Sequence, residues 1–313
     1  MKPSVSVVIV TYNSATVIRG CLDSLRGLVS ERPVEVVVVD NVSSDDTREI
    51  VRTEYPEVNL IEATENLGYA RANNLGAGMA GGEFLVLLNP DTVMAPDAVS
   101  LLADALSRDT WLWVAGPKIL DPQGNVGHSY GDLPDLWWAL AFIGPGRRLG
   151  WRSSRVVVRV DDGDAESDVG FVTGASMATT RVAWERLAGL DSAFFLYFED
   201  ADYCARVWRA GGRVGVVPAA HVVHLEGASF SGEDAARNLR FLQGLVLYLA
   251  KNVSPVAAQL FRISVLAEYW LYVLASYMPG RRFDGVRRNR ETHRSSIRVL
   301  GQRGLARGAA RSL

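Results

Sequence analysis

Three apolar runs constrain the fold most: Ser4 to Val10, Val34 to Val39, and the core of Glu83 to Thr92, each ending abruptly in polar residues. Unbroken Val, Ile and Leu suit strands buried on both faces. After the first run, Val17, Ile18, Cys21, Leu22, Leu25 and Leu28 recur at helical spacing, with Ser14 as a candidate cap. Ser43 to Thr47 opens a second helix that Pro56 stops, Val58 to Ile61 predicts a short strand, and a helix over Tyr69 to Ala80 ends at Gly81-Gly82. This alternation predicts an α/β fold with a mostly parallel central sheet flanked by helices.

Parallel strands share a carboxyl edge, where ligands bind in open α/β sheets. Thr11-Tyr12-Asn13, Asp40-Asn41 and Asn89-Pro90-Asp91 should therefore converge into a nucleotide-sized site. Pro90 cannot continue a ladder, so Asp91 stands at the end of a rigid strand as a candidate metal or substrate ligand; a turn with Asp91 as a helix cap accounts for the same residues. Gly76-Ala77-Gly78-Met79-Ala80-Gly81 matches the dinucleotide glycine pattern by letters but falls at a helix end, where it reads as a stop.

A chain of 313 residues with a formal charge of −2 holds one elaborated domain or two small ones and gives no reason to expect nucleic acid. Cys21 and Cys204 are too few and too distant for a disulfide framework, which predicts reduced thiols and a cytoplasmic location. Val5 to Val10 lacks a following small-residue cleavage site and reads as a first strand.

Pro96 to Ser107 predicts a helix and Trp111 to Ala115 a strand, but from Pro122 to Asp168 no period emerges. Trp137-Trp138 in that stretch either pack the loops, stack on a sugar or touch lipid. Regularity returns over Val169 to Thr179 and in a helix over Val182 to Leu187. Glu199, Asp200 and Asp202 then follow an aromatic run from Phe194, a costly arrangement near apolar surface unless the acids cap a helix or serve a site. Val214 to Val217 predicts another strand, and His224 ends the next apolar run, where its imidazole would complete a metal site with Asp91; His221 is the weaker choice. Ala235 to Lys251 has helical spacing, and Val256 to Met278 is apolar but interrupted by Arg262 and Glu268, which favours a packed or interfacial helix over a membrane span. After Pro279 many Arg face only Asp284 and Glu291, the composition of a flexible tail or of one lying on anionic lipid.

The ordered set Val7 to Asn13, Val39 to Asp45, Glu65 to Asn74, Leu88 to Asp91, Phe198 to Asp202 and His224 resembles the family 2 glycosyltransferases, and among them the bacterial rhamnosyltransferase-type members. The resemblance covers about residues 4 to 230 and implies a GT-A nucleotide-sugar-binding domain over residues 1–230; outside it, spacing and charge predict a helical segment over 231–279 and a basic, flexible tail over 280–313. It implies that Thr11, Tyr12 and Asn13 line the nucleotide pocket, that Asp40, with Asn41 beside it, accepts from the base or a ribose hydroxyl, and that Asn66, Arg71 and Asn74 lie near the nucleotide or diphosphate. Asp91 falls on the second acid of the family's Asp-x-Asp metal motif, whose first position is Asn89 here, with His224 as a further ligand to Mg²⁺ or Mn²⁺. Asp200 falls on the catalytic base, with Glu199 beside it. The implied reaction is inverting transfer of a sugar, rhamnose among the candidates, from a dTDP- or UDP-sugar to a glycan or polyprenyl-diphosphate-linked acceptor in cell-surface polysaccharide synthesis, with the C-terminal helices and tail at the inner face of the membrane. A nucleotidyltransferase would want a glycine-rich basic loop after the first strand, which Thr11-Tyr12-Asn13 lacks. A degenerate binding module of the same fold is the other alternative, against which intact Asp91, Asp200 and His224 argue.

Overall fold

The computed structural model describes residues 4–30, 32–127, 129–142, 166–225 and 234–278, with Arg294, Ile297, Arg298 and Leu300. The apolar runs form strands β1 (Val5–Thr11), β2 (Val34–Asp40) and β4 (Phe84–Leu88), and every residue of β1 and β4 is buried. Between them lie α1 (Ile18–Arg26), α2 (Thr47–Glu54), β3 (Asn59–Glu62) and α3 (Gly68–Met79). Then follow β5 (Thr92–Met94), α4 (Ala98–Arg108), β6 (Leu112–Leu120), β7 (Tyr130–Gly131) and α5 (Leu136–Phe142). β8 (Ser167–Asp168), β9 (Phe171–Val172), β10 (Ser176–Thr180), α6 (Arg181–Arg186), α7 (Glu199–Arg209) and β11 (Arg213–His224) lead to α8 (Asp234–Asn252) and α9 (Pro255–Ala275).

Among the described residues the main sheet runs β3-β2-β1-β4-β10-β6-β11-β5, with β8 also on β11. The pairs β1–β2, β1–β4, β2–β3 and β6–β11 are parallel, while β10 enters antiparallel between β4 and β6. The sheet is therefore mixed, and its four consecutive parallel strands carry the expected polar edge.

Three local readings are corrected by the structure. Ser14 does not cap α1 with its side chain: its hydroxyl accepts from the Tyr12 amide at 3.3 Å, while its carbonyl accepts from Val17 and Ile18. Trp111 to Ala115 is the start of a longer strand. Val214 to Val217 and the run ending at His224 are one strand, broken in register between Val217 and His221, where Pro218 removes a ladder donor. That irregularity lets the far end of β11 pair with both β6 and β5.

Gly76 and its neighbours end α3, and a Cβ at Gly76 would stand 2.5 Å from Val8 Cγ1, so the glycine lets helix and sheet approach. The helix end is closed from elsewhere in the chain. Arg181 donates to the carbonyls of Gly82 at 2.5 Å, Ala80 at 2.9 Å and Ala77 at 3.3 Å. Both cysteines are buried free thiols, and burial pushes the Cys21 thiol up to about 12.

The chain divides into two compact units, Met1–Leu133 with Val157–Gly232, and Pro134–Val156 with Glu233–Leu313. The first holds the main sheet. In the second, α9 packs against α8 and α5, so the Trp137-Trp138 segment belongs with the C-terminal helices. The tail expected over 280–313 lies largely outside the described residues, but Leu300 is buried and its carbonyl accepts from Arg262 at 2.5 Å.

Replacing Arg181 by Ala strips three acceptors of their donor, which should cost about 2 kcal/mol. A lowered urea midpoint with an unchanged slope is the expected result.

Candidate active site

The loops after β1 and β2 are stitched together by backbone amides of one and side chains of the other. Asn13 N donates to Ser43 Oγ at 2.9 Å, Ser14 N to Thr47 Oγ1 at 2.8 Å and Ala15 N to Asp45 Oδ2 at 3.0 Å, while Asn13 Oδ1 accepts from Ser44 N at 2.7 Å. Asn13 and Val42 both have left-handed backbone, with φ of 52° and 65°. Tyr12 projects from this stitched floor at 44% exposure, a ring available for stacking.

Asp40 is fully buried beneath it. Its carboxylate accepts from Thr11 Oγ1 at 3.1 Å, from Ser43 N at 2.9 Å and from the Ser43 hydroxyl, and faces Arg48 Nε at 3.6 Å. With two accepted bonds on Oδ2 and one on Oδ1, Asp40 holds the loop and keeps a further lone pair on Oδ1. Asn41 is similarly engaged: its amide accepts from Leu67 N at 3.1 Å and donates to Gly68 O at 3.2 Å. Asn66 closes a turn by accepting from Gly68 N at 3.0 Å. Arg71 is exposed and pairs with Glu65 at 3.0 Å. Asn74 turns toward another segment, donating to Leu190 O at 2.7 Å and accepting from Leu190 N at 2.9 Å. Asp40, Asn41 and Asn74 therefore shape the site by holding backbone, and the Thr11 hydroxyl holds the Asp40 carboxylate.

The acidic cluster separates into three roles. Asp202 is buried and bonded to Arg206 Nε at 2.8 Å; that guanidinium also donates to the carbonyls of Leu187 and Gly189. Asp200 keeps partial exposure, with Oδ2 accepting from Gly174 N and Oδ1 from Ala201 N, both at 2.7 Å. Burial pushes its carboxyl above the ordinary range against the opposing pull of those amides. Glu199 is 4% exposed, and its Oε2 has no hydrogen-bond partner among the described residues. Burial, then the adjacent Asp200 charge, hold its carboxyl well above the usual range. Both neighbours are thus raised by burial, Glu199 further than Asp200, whose carboxylate is held down in part by the Gly174 and Ala201 amides.

The chain reaches these acids through two successive left-handed residues, Tyr197 at φ 73° and Phe198 at φ 70°, each costing about 1–2 kcal/mol. Phe195 O just before them accepts from Tyr69 N at 2.7 Å. Gly68, at φ +75°, makes that approach possible: a Cβ there would lie 2.4 Å from Phe195 O.

At the sheet's opposite flank, His224 Nε2 lies 3.2 Å from Asp91 Oδ1, and Leu225 N donates to Asp91 O at 2.9 Å. The two acidic centres meet through residues 174 and 175. Asn89 N donates to Ala175 O at 2.9 Å, Gly174 N reaches Asp200, and Gly174 O accepts from the Tyr69 hydroxyl at 2.5 Å. Burial, then the charges of Glu199 and Asp200, and that of Asp91, push the Tyr69 phenol far up, so it stays a donor. Tyr69 and Gly174 are positioning residues that the sequence reading did not single out; the signal was a phenol in the first turn of α3, directly after the Asn66–Gly68 turn.

Among the described residues no third His, Cys, Asp or Glu joins Asp91 and His224 in a cluster. One carboxylate and one imidazole nonetheless suit a divalent cation such as Mn²⁺ or Mg²⁺ that takes its remaining ligands from water and a diphosphate.

The fold is shared with solved structures. Mannosyltransferase PcManGT from Pyrobaculum calidifontis, in complex with GDP-Man and Mn²⁺, superposes with a TM-score of 0.54 at 22% identity, covering 99% of this chain and 86% of that one. GalNAc-T7 with UDP, GalNAc and Mn²⁺ gives a TM-score of 0.59 at 16% identity, covering 96% of this chain and 56% of that one. The fold is the GT-A glycosyltransferase fold. The model of "Glycosyl transferase family 2" matches residues 6–150, and that of "Glycosyl transferase family group 2" matches residues 84–300. The N-acetylglucosaminyl-diphospho-decaprenol L-rhamnosyltransferase of Mycobacterium tuberculosis is 34% identical over 253 residues, covering 76% of this chain and 81% of the relative. The low-salt glycan biosynthesis hexosyltransferase Agl10 of Haloferax volcanii is 24% identical over 87% of this chain and 85% of its own length. The chain belongs to glycosyltransferase family 2.

Two outcomes are expected from these contacts. Gly68→Ala forces a side chain into left-handed backbone and against Phe195, which should cost about 2–4 kcal/mol in denaturant unfolding. Glu199 binds its proton more tightly folded than unfolded. Its contribution therefore falls as pH rises from about 4.3, the unfolded value, toward the raised folded value. Glu199→Gln removes that loss, so in thermal melts the variant should gain on the parent as pH rises above about 4.3.

Proposed function

We propose that this glycosyltransferase moves a sugar from a nucleoside diphosphate donor to a hydroxyl of a polyprenyl-diphosphate-linked glycan, with inversion at the anomeric carbon. The observation that carries this reading is the pair of centres joined through Gly174 and Ala175: Asp91 with His224 on one side, Asp200 on the other. Asp91 and His224 would hold a divalent cation, whose charge offsets that of the departing diphosphate. Tyr12 offers a stacking face for the base, and Asn13 orders the loop beneath it.

Asp200 takes the proton of the attacking hydroxyl. Its two accepted amide bonds fix both carboxylate oxygens while leaving each a further lone pair, and its raised pKa makes it a stronger base than a solvated carboxylate. One base and one displacement leave no covalent intermediate, which is the reason for inversion. Glu199, buried with an oxygen that has no hydrogen-bond partner among the described residues, is suited to positioning the acceptor or the base. The rhamnosyl donor, dTDP-rhamnose, and cell-surface glycan synthesis are supported by the 34% identical rhamnosyltransferase. Asn89, in place of a first acid, makes the cation site rest on Asp91 and His224.

Asp200→Asn should keep donor binding and lose at least about a hundredfold in turnover, the scale of a lost general base. The parent's rate should fall as pH drops through the raised Asp200 value, a limb absent from the variant. A thermal-shift panel of dTDP, UDP and GDP with and without Mn²⁺ tests the donor site, since a ligand specific for the folded state raises its stability. A metal-dependent shift with dTDP is expected; no shift with any diphosphate would instead indicate a binding module that has lost its chemistry.

A further inference from the structure

Helix α9 carries an exposed apolar stripe. Val256, Leu260, Ile263, Trp270, Leu271 and Leu274 are each more than half exposed, and at 100° per residue they fall within about 60° of one line along the helix. The helix runs for 21 residues, so the line is about 31 Å long. Its inner face is also apolar, with Phe261, Val265 and Val273 buried. The two charges in the helix stand off the stripe: Arg262 is buried against Leu300 O, and Glu268 accepts from Tyr272 at 3.1 Å. A helix apolar on both sides needs a second apolar environment. No described helix is long and apolar enough to cross a membrane.

We propose that this stripe lies in the interfacial layer of an anionic lipid surface, parallel to its plane. Charge complementarity selects that occupant. The segment following the helix holds ten Arg, from Arg281 to Arg311, against Asp284 and Glu291. Such a segment is attracted to anionic headgroups next to the point where the stripe enters the acyl boundary. A second copy pairing with the stripe in parallel would bring an identical basic segment to the same contact and be repelled.

The test is flotation of the full chain with vesicles of phosphatidylcholine alone and of phosphatidylcholine with about one-third phosphatidylglycerol, using the parent and the triple variant Ile263→Gln, Leu271→Gln, Leu274→Gln. These positions are exposed, so folding is preserved, and an unchanged melting temperature checks it. Binding to the anionic vesicles, weakened at least about tenfold in the triple variant, is expected from the apolar area removed. A smaller loss, or no flotation of the parent, overturns the proposal. So does a parent dimer by light scattering that the triple variant dissolves, which would assign the stripe to a second copy. The donor thermal shift reads the other unit's site and is expected unchanged, so failure here leaves the catalytic reading standing.

Discussion

The site depends on one short piece of backbone, Gly174 and Ala175. Gly174 donates to Asp200 and accepts from Tyr69, while Ala175 accepts from Asn89. These bonds tie the end of β4, the first turn of α3 and the first turn of α7 into one rigid set. Under the proposed reaction, the acid that takes a proton and the acid that holds a cation would need a fixed separation, and fixed backbone donors supply such geometry more reliably than a second side chain would.

Around this link the protein stores unfavourable terms. Tyr197 and Phe198 are left-handed, and Glu199 is buried with an oxygen that makes no hydrogen bond among the described residues. The Asp202–Arg206 pair and its carbonyl contacts hold α7 from behind, and Asn74 clamps the segment near Leu190 that precedes the strained turn. Strain of this kind persists only where the surroundings over-determine the backbone, and it clusters where function requires an exact placement of groups.

Much of the fold was legible because burial on both faces demands continuous apolar runs, and those runs mark β1, β2 and β4. The polar residues at their ends were legible for the same reason: each run stops where the sheet does. The antiparallel entry of β10, the single long β11 and the association of Leu136–Phe142 with the C-terminal helices were not. These depend on pairing between residues far apart in sequence, and Pro218 disguises one strand as two.

Site roles divide along the same line. By its own sequence, the chain determined where polar groups reach the sheet edge and which residue types stand there: Tyr12, Asp91, Asp200 and His224. Only the tertiary structure decided which of them stay available. Asn41 and Asn74 are occupied by backbone partners from other segments, Asp40 holds its own loop and the Thr11 hydroxyl, Asp202 is taken by Arg206, and Glu199 is left buried beside Asp200. Residue type sets what a side chain can bond, but the neighbours that consume its lone pairs or exclude its water arrive only when distant segments pack.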